Sequence, residues 1–176
     1  MKVRFLHVTT VTPDRLSRWE SWLAPEKRQR IDRLPERARL LSLCADGLAR
    51  EMLAEKWNLA PQEIIFTYTE NGKPLTQDAF FSVSHSGDVV GCAVSDREVG
   101  LDVERIRPVP TRLGRKLEGQ WQTESDFWQL WTRREAAIKC RGGVLGEWKQ
   151  DRDDACFFTY PDAPDGYTAT IAEKKE

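Results

Sequence analysis

Between Phe80 and Glu104 polar residues are set at strand spacing into an otherwise apolar segment, and no other stretch limits the fold so strongly. Phe81 and Val83 alternate with Ser82 and Ser84, Ser86-Gly87-Asp88 supplies turn chemistry, and Val89 to Val94 is apolar and β-rich. This pattern predicts a hairpin with His85 near its tip. After a second turn at Ser95-Asp96-Arg97-Glu98 comes a third strand, in which Val99, Leu101 and Val103 take one face and Gly100, Asp102 and Glu104 the other. Two carboxylates then stand side by side with Cα atoms roughly 7 Å apart. Like charges so placed raise each other's pKa unless a cation lies between them. A magnesium-type ion suits the pair, because it takes one or two protein carboxylates and completes its octahedron with water and phosphate oxygens. A solvated acidic face on a half-buried strand is the other reading of the same pattern.

The flanking sequence supplies the elements that bury this segment. Val3, Phe5 and His7 alternate with their neighbours and predict an opening strand, in which His7 is read as structural. Thr12-Pro13-Asp14 starts a helix, with Thr12 as its cap and Pro13 at its first position, and Pro25 is expected to end it. Residues 25–33 carry four cations against two acids and read as a solvated helix face. After Pro35 a long amphipathic helix carries Leu41, Cys44, Leu48 and Met52 at helical spacing, with Gly47 marking a close packing contact or simple tolerance. Ile64 to Tyr68 reads as a short strand, and Glu70 to Pro74 as a tight turn that exposes Lys73.

Residues 105–124 are polar and read as a connection with at most a short helix. A second strong helix spans Phe127 to Arg141, capped by Ser125 or Asp126 and stopped at Gly142-Gly143. It places Glu135 on one stripe with Trp128, Trp131 and Ile138. A surface Glu135–Lys139 pair, worth about 0.2–0.5 kcal/mol, is the plain alternative for that acid. Residues 156–160 and 167–172 form a last hairpin. The order strand, helix, hairpin thus occurs twice, which predicts an α+β fold of two similar α/β half-domains, residues 1–97 and 98–176, related by a pseudo-twofold. A cleft between them would gather Lys73, His85, Asp102, Glu104, Glu135 and Lys139 into one site.

Composition narrows the class. The 176 residues carry a net charge of −1, with 31% charged side chains, so the basic excess of a nucleic-acid binder is missing. Cys44, Cys92, Cys140 and Cys156 form no close-spaced pair, and buried, reduced thiols are expected. The N-terminal residues lack a signal-peptide core and no run reaches membrane-spanning length, so a cytoplasmic protein with no membrane partner is expected.

Four motifs in order carry a family resemblance: Gly72-Lys73-Pro74; Phe81-Ser82-Val83-Ser84-His85-Ser86-Gly87; Val99-Gly100-Leu101-Asp102-Val103-Glu104; and Phe127 through Lys139 with Glu135 inside it. From about Pro25 to Leu145 the chain resembles the 4′-phosphopantetheinyl transferases of the two-half type, which activate surfactin and enterobactin synthetases. The resemblance implies transfer of the phosphopantetheine arm of coenzyme A to a serine of an apo acyl or peptidyl carrier protein, with release of adenosine 3′,5′-bisphosphate. It implies Asp102, Glu104 and Glu135 as ligands of Mg²⁺, and Lys139 as partner of the transferring phosphate. Ser84 and His85 would contact the 3′-phosphate, Gly72, Lys73 and Pro74 would border the adenine, and Lys27 and Arg30 would meet phosphate. Glu135 is the candidate general base, with Glu118 and Glu124 as alternatives. A monomer is expected.

The sequence also departs from the family pattern. The segment between Glu104 and Trp131 is short and lacks the usual basic-plus-double-phenylalanine stretch, having only Arg112, Arg115, Lys116 and Leu117. That motivates the alternative of a homologue that binds coenzyme A or a carrier without catalysis. Arg134 replaces a lysine, Val144 a glycine, and Leu41 a phosphate-binding arginine for which Arg39 is the expected substitute.

Overall fold

Two three-stranded antiparallel sheets meet along the predicted acidic strand. The structure, a computed structural model, describes residues 1–68, 74–77, 79–143 and 155–175. The first sheet contains β1 (Lys2–His7), β4 (Phe80–Ser86) and β5 (Val89–Ser95) in the order β1-β5-β4, and the second contains β6 (Val99–Arg105), β7 (Cys156–Thr159) and β8 (Tyr167–Lys174) in the order β6-β8-β7. Each sheet is thus one strand plus one hairpin, as the element order predicts. In β6, Leu101 pairs with Ile171 and Val103 with Ala169. Five of its seven residues are buried, Asp102 among them, which removes the solvated acidic face as an explanation.

Helices cover one sheet each. Helix α1 (Pro13–Trp22) is capped as expected, the Thr12 hydroxyl accepting from the Arg15 N–H. Pro25 does more than end it: Pro25 is the first residue of α2 (Pro25–Asp32), where a missing N–H costs nothing. The long helix α3 (Glu36–Trp57) buries Leu41, Cys44, Leu48 and Met52 against the first sheet and α1. Gly47 is a close packing contact, since a Cβ there would lie 2.2 Å from the Trp19 ring. The reading of Ile64 to Tyr68 as a strand is corrected: only Thr67–Tyr68 (β2) pairs, with Pro74–Leu75 (β3). The carbonyl of Ile64 is instead held by the buried Arg50 guanidinium, 2.6 Å away.

The 105–124 connection contains the short helix α4 (Thr111–Gly114) and one 3-10 turn, Arg115–Leu117. Helix α5 (Glu124–Cys140) begins earlier than expected, because Thr123 rather than Ser125 or Asp126 is the cap. Asp126 returns the bond to the Thr123 N–H at 3.0 Å and closes a capping box. Gly142, at φ +69°, ends the helical stretch.

Helix α5 packs across β6 and β8 at backbone contact distance. A Cβ on Gly100 would lie 2.0 Å from the Ala136 carbonyl oxygen and 2.4 Å from the Cys140 nitrogen, neither of which is a flexible side-chain end. Glycine at 100 therefore brings the stripe of α5 containing Glu135 down onto the acidic strand. The expected consequence is that Gly100→Ala destabilises by about 3 kcal/mol or more, the upper range for overpacking, measured by urea unfolding against the parent protein.

Candidate active site

The acidic face of β6 is buried because three serines of β4 stitch the two sheets together. The edge of β4 opposite β5 faces the open edge of β6, and no main-chain ladder joins them. Instead the N–H groups of Leu101, Val103 and Arg105 donate to the hydroxyls of Ser82, Ser84 and Ser86 at 2.9, 3.2 and 3.2 Å. The hydroxyls of Ser84 and Ser86 in turn donate to the carboxylates of Asp102 and Glu104, at 2.9 and 2.5 Å. Helix α5 adds Lys139, whose ammonium donates to Asp102 Oδ1 at 2.7 Å, to the Ser84 hydroxyl at 3.0 Å and to the Leu101 carbonyl at 3.1 Å. Lys139 therefore pairs with Asp102, and the alternative of a surface Glu135–Lys139 pair is set aside, because Glu135 is buried at 3% exposure.

These groups form one wall of a cavity of about 420 Å³. Asp102, Glu104, Glu135, Lys139 and Trp131 line it, as do Ser84 and His85 near the β4 tip and Lys27 and Arg30 of α2. Among the described residues neither Lys27 nor Arg30 makes an ion pair. Both stand over the ring of Tyr68, 5.8 and 5.1 Å from its centroid. Pro74 also lines the cavity, whereas Gly72 and Lys73 lie outside the described residues, as does Val144. Glu118 and Glu124 are exposed and do not line it. Arg39 is no substitute for a cavity arginine: it is exposed and pairs with Glu20 at 3.0 Å and Asp32 at 3.5 Å. Lys116 stands 5.5 Å from the centroid of Trp131.

Sequence reasoning missed several wall residues. Ser42 and Asp46 sit on α3, and Asp46 is held by Arg50 at 2.6 Å in a buried pair. Their signal was an acid and a base four apart inside an apolar stripe. Tyr68 was read only as a strand residue.

Electrostatics divide the cavity. Burial pushes Asp102 above the usual carboxylate range, opposed by the Lys139 ammonium. Burial, reinforced by the charges of Asp102 and Glu104, pushes Glu135 up to about 7. Across the cavity, burial holds Lys27 below the ordinary lysine range. Partial desolvation and the Lys139 charge hold His85 below the ordinary histidine range. Two buried carboxylate oxygens, Asp102 Oδ2 and Glu135 Oε1, have no hydrogen-bond partner among the described residues. Such orphaned acceptors, crowded by like charge, fit a hard cation that takes oxygen ligands. Glu104 lines the same cavity, with Ser86 and Arg107 already on its Oε2. Among the described residues no group of three or more His, Cys, Asp or Glu side chains is gathered at metal-binding spacing.

A cavity lined by Asp102, Glu104 and Glu135 together with Lys27 and Arg30, which make no ion pair among the described residues, accords with the matches to known proteins. A family model described as "4'-phosphopantetheinyl transferase, N-terminal" matches residues 10–97, half of the chain. The chain belongs to the 4′-phosphopantetheinyl transferase family. It is similar to 4′-phosphopantetheinyl transferase Sfp of Bacillus subtilis (strain 168), at 29% identity over 73% of this chain and 64% of that protein. It is also similar to the transferase gsp of Aneurinibacillus migulanus, at 33% identity over 57% of this chain and 48% of that protein. A third relative, AcpT of Escherichia coli (strain K12), is 34% identical over 69% of this chain and 66% of that protein. The chain thus spans about half to two thirds of the length of these transferases. Among the described residues, no helix of this family member is long and apolar enough to cross a membrane.

The raised pKa of Glu135 has a definite sign for stability. The folded state binds the Glu135 proton more tightly than the unfolded state does, so this group lowers stability as pH rises from about 4.5 to about 7. In metal-free buffer Glu135→Gln is expected to be more stable than the parent at pH 8, by on the order of 2 kcal/mol, and to show no such gain at pH 4.5. Denaturant unfolding of both proteins at the two pH values checks this.

Proposed function

We propose that this protein transfers the 4′-phosphopantetheine moiety of coenzyme A to a serine hydroxyl of an apo acyl or peptidyl carrier protein, releasing adenosine 3′,5′-bisphosphate. The observation that carries this reading is the single cavity in which Asp102, Glu104 and Glu135 face Lys27 and Arg30. A substrate with a diphosphate at one end of a nucleotide and a further phosphate at the other meets both kinds of wall. The names of the similar proteins support the same reaction class. The active site then lies between the two halves, residues 1–97 and 98–176, since each contributes to the walls.

Phosphoryl transfer asks a protein for positioning and charge neutralisation more than for covalent chemistry. Lys27, Arg30 and His85 hold phosphate at the far side of the cavity, and Gly72, Lys73 and Pro74 border the adenine. Asp102, Glu104 and Glu135 would hold Mg²⁺, which when bound neutralises charge on the diphosphate and aligns it for in-line attack. Lys139 stands beside these acids and neutralises charge on the phosphate being transferred. Glu135 accepts the proton of the attacking serine. Neither Glu118 nor Glu124 lines the cavity, which favours Glu135.

The chain is further expected to act in the cytoplasm, as a monomer. The non-catalytic alternative rests on the short connection between Glu104 and Trp131, and the carboxylate oxygens left without partners among the described residues support the catalytic reading. The deciding experiment incubates the protein with coenzyme A, Mg²⁺ and several apo carrier proteins and reads the phosphopantetheine mass increase on the carrier. No increase with any carrier, with coenzyme A still bound, would establish the binding homologue instead. Asp102→Ala is expected to lower turnover at least 100-fold, because it removes a ligand oxygen and the partner of Lys139. Its far-ultraviolet circular dichroism should be unchanged.

A further inference from the structure

Helix α5 meets the second sheet along a stripe of two unlike parts. Strand alternation puts Gly100, Asp102 and Glu104 of β6 and their ladder partners Ala172, Thr170 and Thr168 of β8 on the face that α5 covers. Toward the C-terminal end of α5 the contact is small and apolar, Gly100 and Ala172 meeting Ala136 and Cys140. Toward its N-terminal end the contact is polar, Gln129 and Thr132 meeting Thr168 and Thr170. Thr132 and Thr170 are fully buried.

The donors in this polar part are fixed in turn. The Thr168 hydroxyl donates to Gln129 Oε1 at 2.8 Å, and the Gln129 amide donates to the Thr170 hydroxyl at 3.0 Å. The Thr132 hydroxyl donates to the main-chain carbonyl of Gln129 at 3.0 Å, which leaves the Thr170 hydroxyl to donate to Thr132 at 2.9 Å. An apolar seam of the same shape would hold helix to sheet about as firmly, because replacing both partners of a buried hydrogen bond by apolar groups is nearly neutral or stabilising. What the bonds add is direction. Side chains as small as those of Gly100, Ala136 and Ala172 offer little resistance to sliding or rolling, whereas four directed bonds are satisfied together in one register.

We infer that Gln129, Thr132, Thr168 and Thr170 are positioning residues for the transfer reaction: they fix the register of α5 on β8, and so the placement of Glu135 and Lys139 over Asp102. This rests on the transferase reading given above. Thr170 is the ladder partner of Asp102, and Glu135 lies one turn beyond Thr132 on α5, so a shift of the helix along β8 moves Glu135 and Lys139 relative to Asp102. None of the four lines the cavity. A misplacement of about 1 Å in reacting groups is enough to cost on the order of 100-fold in rate.

The test uses the full chain with coenzyme A, Mg²⁺ and an apo carrier protein that the parent modifies. Thr170→Val removes the central hydroxyl at nearly constant shape and should lower kcat about 10-fold or more, with KM for coenzyme A within about twofold. Thr170→Ser, which keeps the hydroxyl, should restore kcat to within about threefold of the parent. The combined variant Gln129→Leu, Thr132→Val, Thr168→Val and Thr170→Val makes the seam apolar throughout. Its urea midpoint should equal or exceed that of the parent, while its kcat stays about 10-fold or more below.

Parent-like kcat in the combined variant would overturn the inference, as would a loss in Thr170→Val that Thr170→Ser does not restore. Losses in kcat that only accompany a lowered urea midpoint would make the seam structural and overturn it as well. A parent protein that modifies no carrier would overturn the proposed function and the inference together, whereas an active parent matched by Thr170→Val would sink the inference alone.

Discussion

Everything at the candidate site depends on how two sheet edges are joined. A main-chain ladder would set β4 and β6 about 4.8 Å apart and would leave no place for side chains between them. Here serine hydroxyls take the N–H groups of residues 101, 103 and 105 instead. Backbone donors buried without partners would cost stability, so the hydroxyls meet a requirement of the fold. Two of them, on Ser84 and Ser86, also grip carboxylates that would otherwise repel one another at the seam. At those two atoms a structural demand and a chemical one are met together.

Helix α5 completes the arrangement through one missing side chain. Gly100 lets the helix backbone touch the strand, so Glu135 and Lys139 reach Asp102 from above. Lys139 compensates part of the buried charge, but its bonds go to Asp102 Oδ1, Ser84 and a carbonyl. Burial first, and the charges of Asp102 and Glu104 after it, still raise the pKa of Glu135. A buried acid with an unsatisfied oxygen is costly in a folded protein. Its retention is understandable when a cation and a polyanionic substrate are the missing partners.

The opposite wall solves a complementary problem. Lys27 and Arg30 lie one turn apart on α2, where like charges repel. They share the face of Tyr68, which attracts both without neutralising either. The segment leading to Tyr68 is in turn anchored by Arg50, bound to the Ile64 carbonyl and paired with Asp46. Cationic charge is thereby kept on the cavity while the loop beyond it is tied to α3. Sequence periodicity did not reveal this anchor, because Arg50 reaches across to a carbonyl 14 positions away instead of continuing a strand.

Local physics made most of the elements readable from the chain alone. Two-residue alternation placed β4 to β6, Thr12 and Pro13 started α1, and helical spacing put Glu135 on the inward stripe. The exceptions are of two kinds, local signals that compete with one another and partners that lie outside the local window. Pro25 opens a helix because proline suits the first helical position as well as it bars continuation of the helix before it. Thr123 outcompetes Ser125 and Asp126 as a cap because Asp126 is better used three residues inside. That Asp102, Glu104 and Glu135 belong together was legible as motifs in order. Their actual pairing was not: Lys139 joins Asp102 rather than Glu135, Arg39 turns to the surface, and Ser84 spends its proton on an acid. Alternation and helical repeat depend on neighbours a few residues away and so are written in the chain, whereas the direction of a proton or the choice of an ion-pair partner depends on which distant backbone arrives first, and only the packed structure decides that.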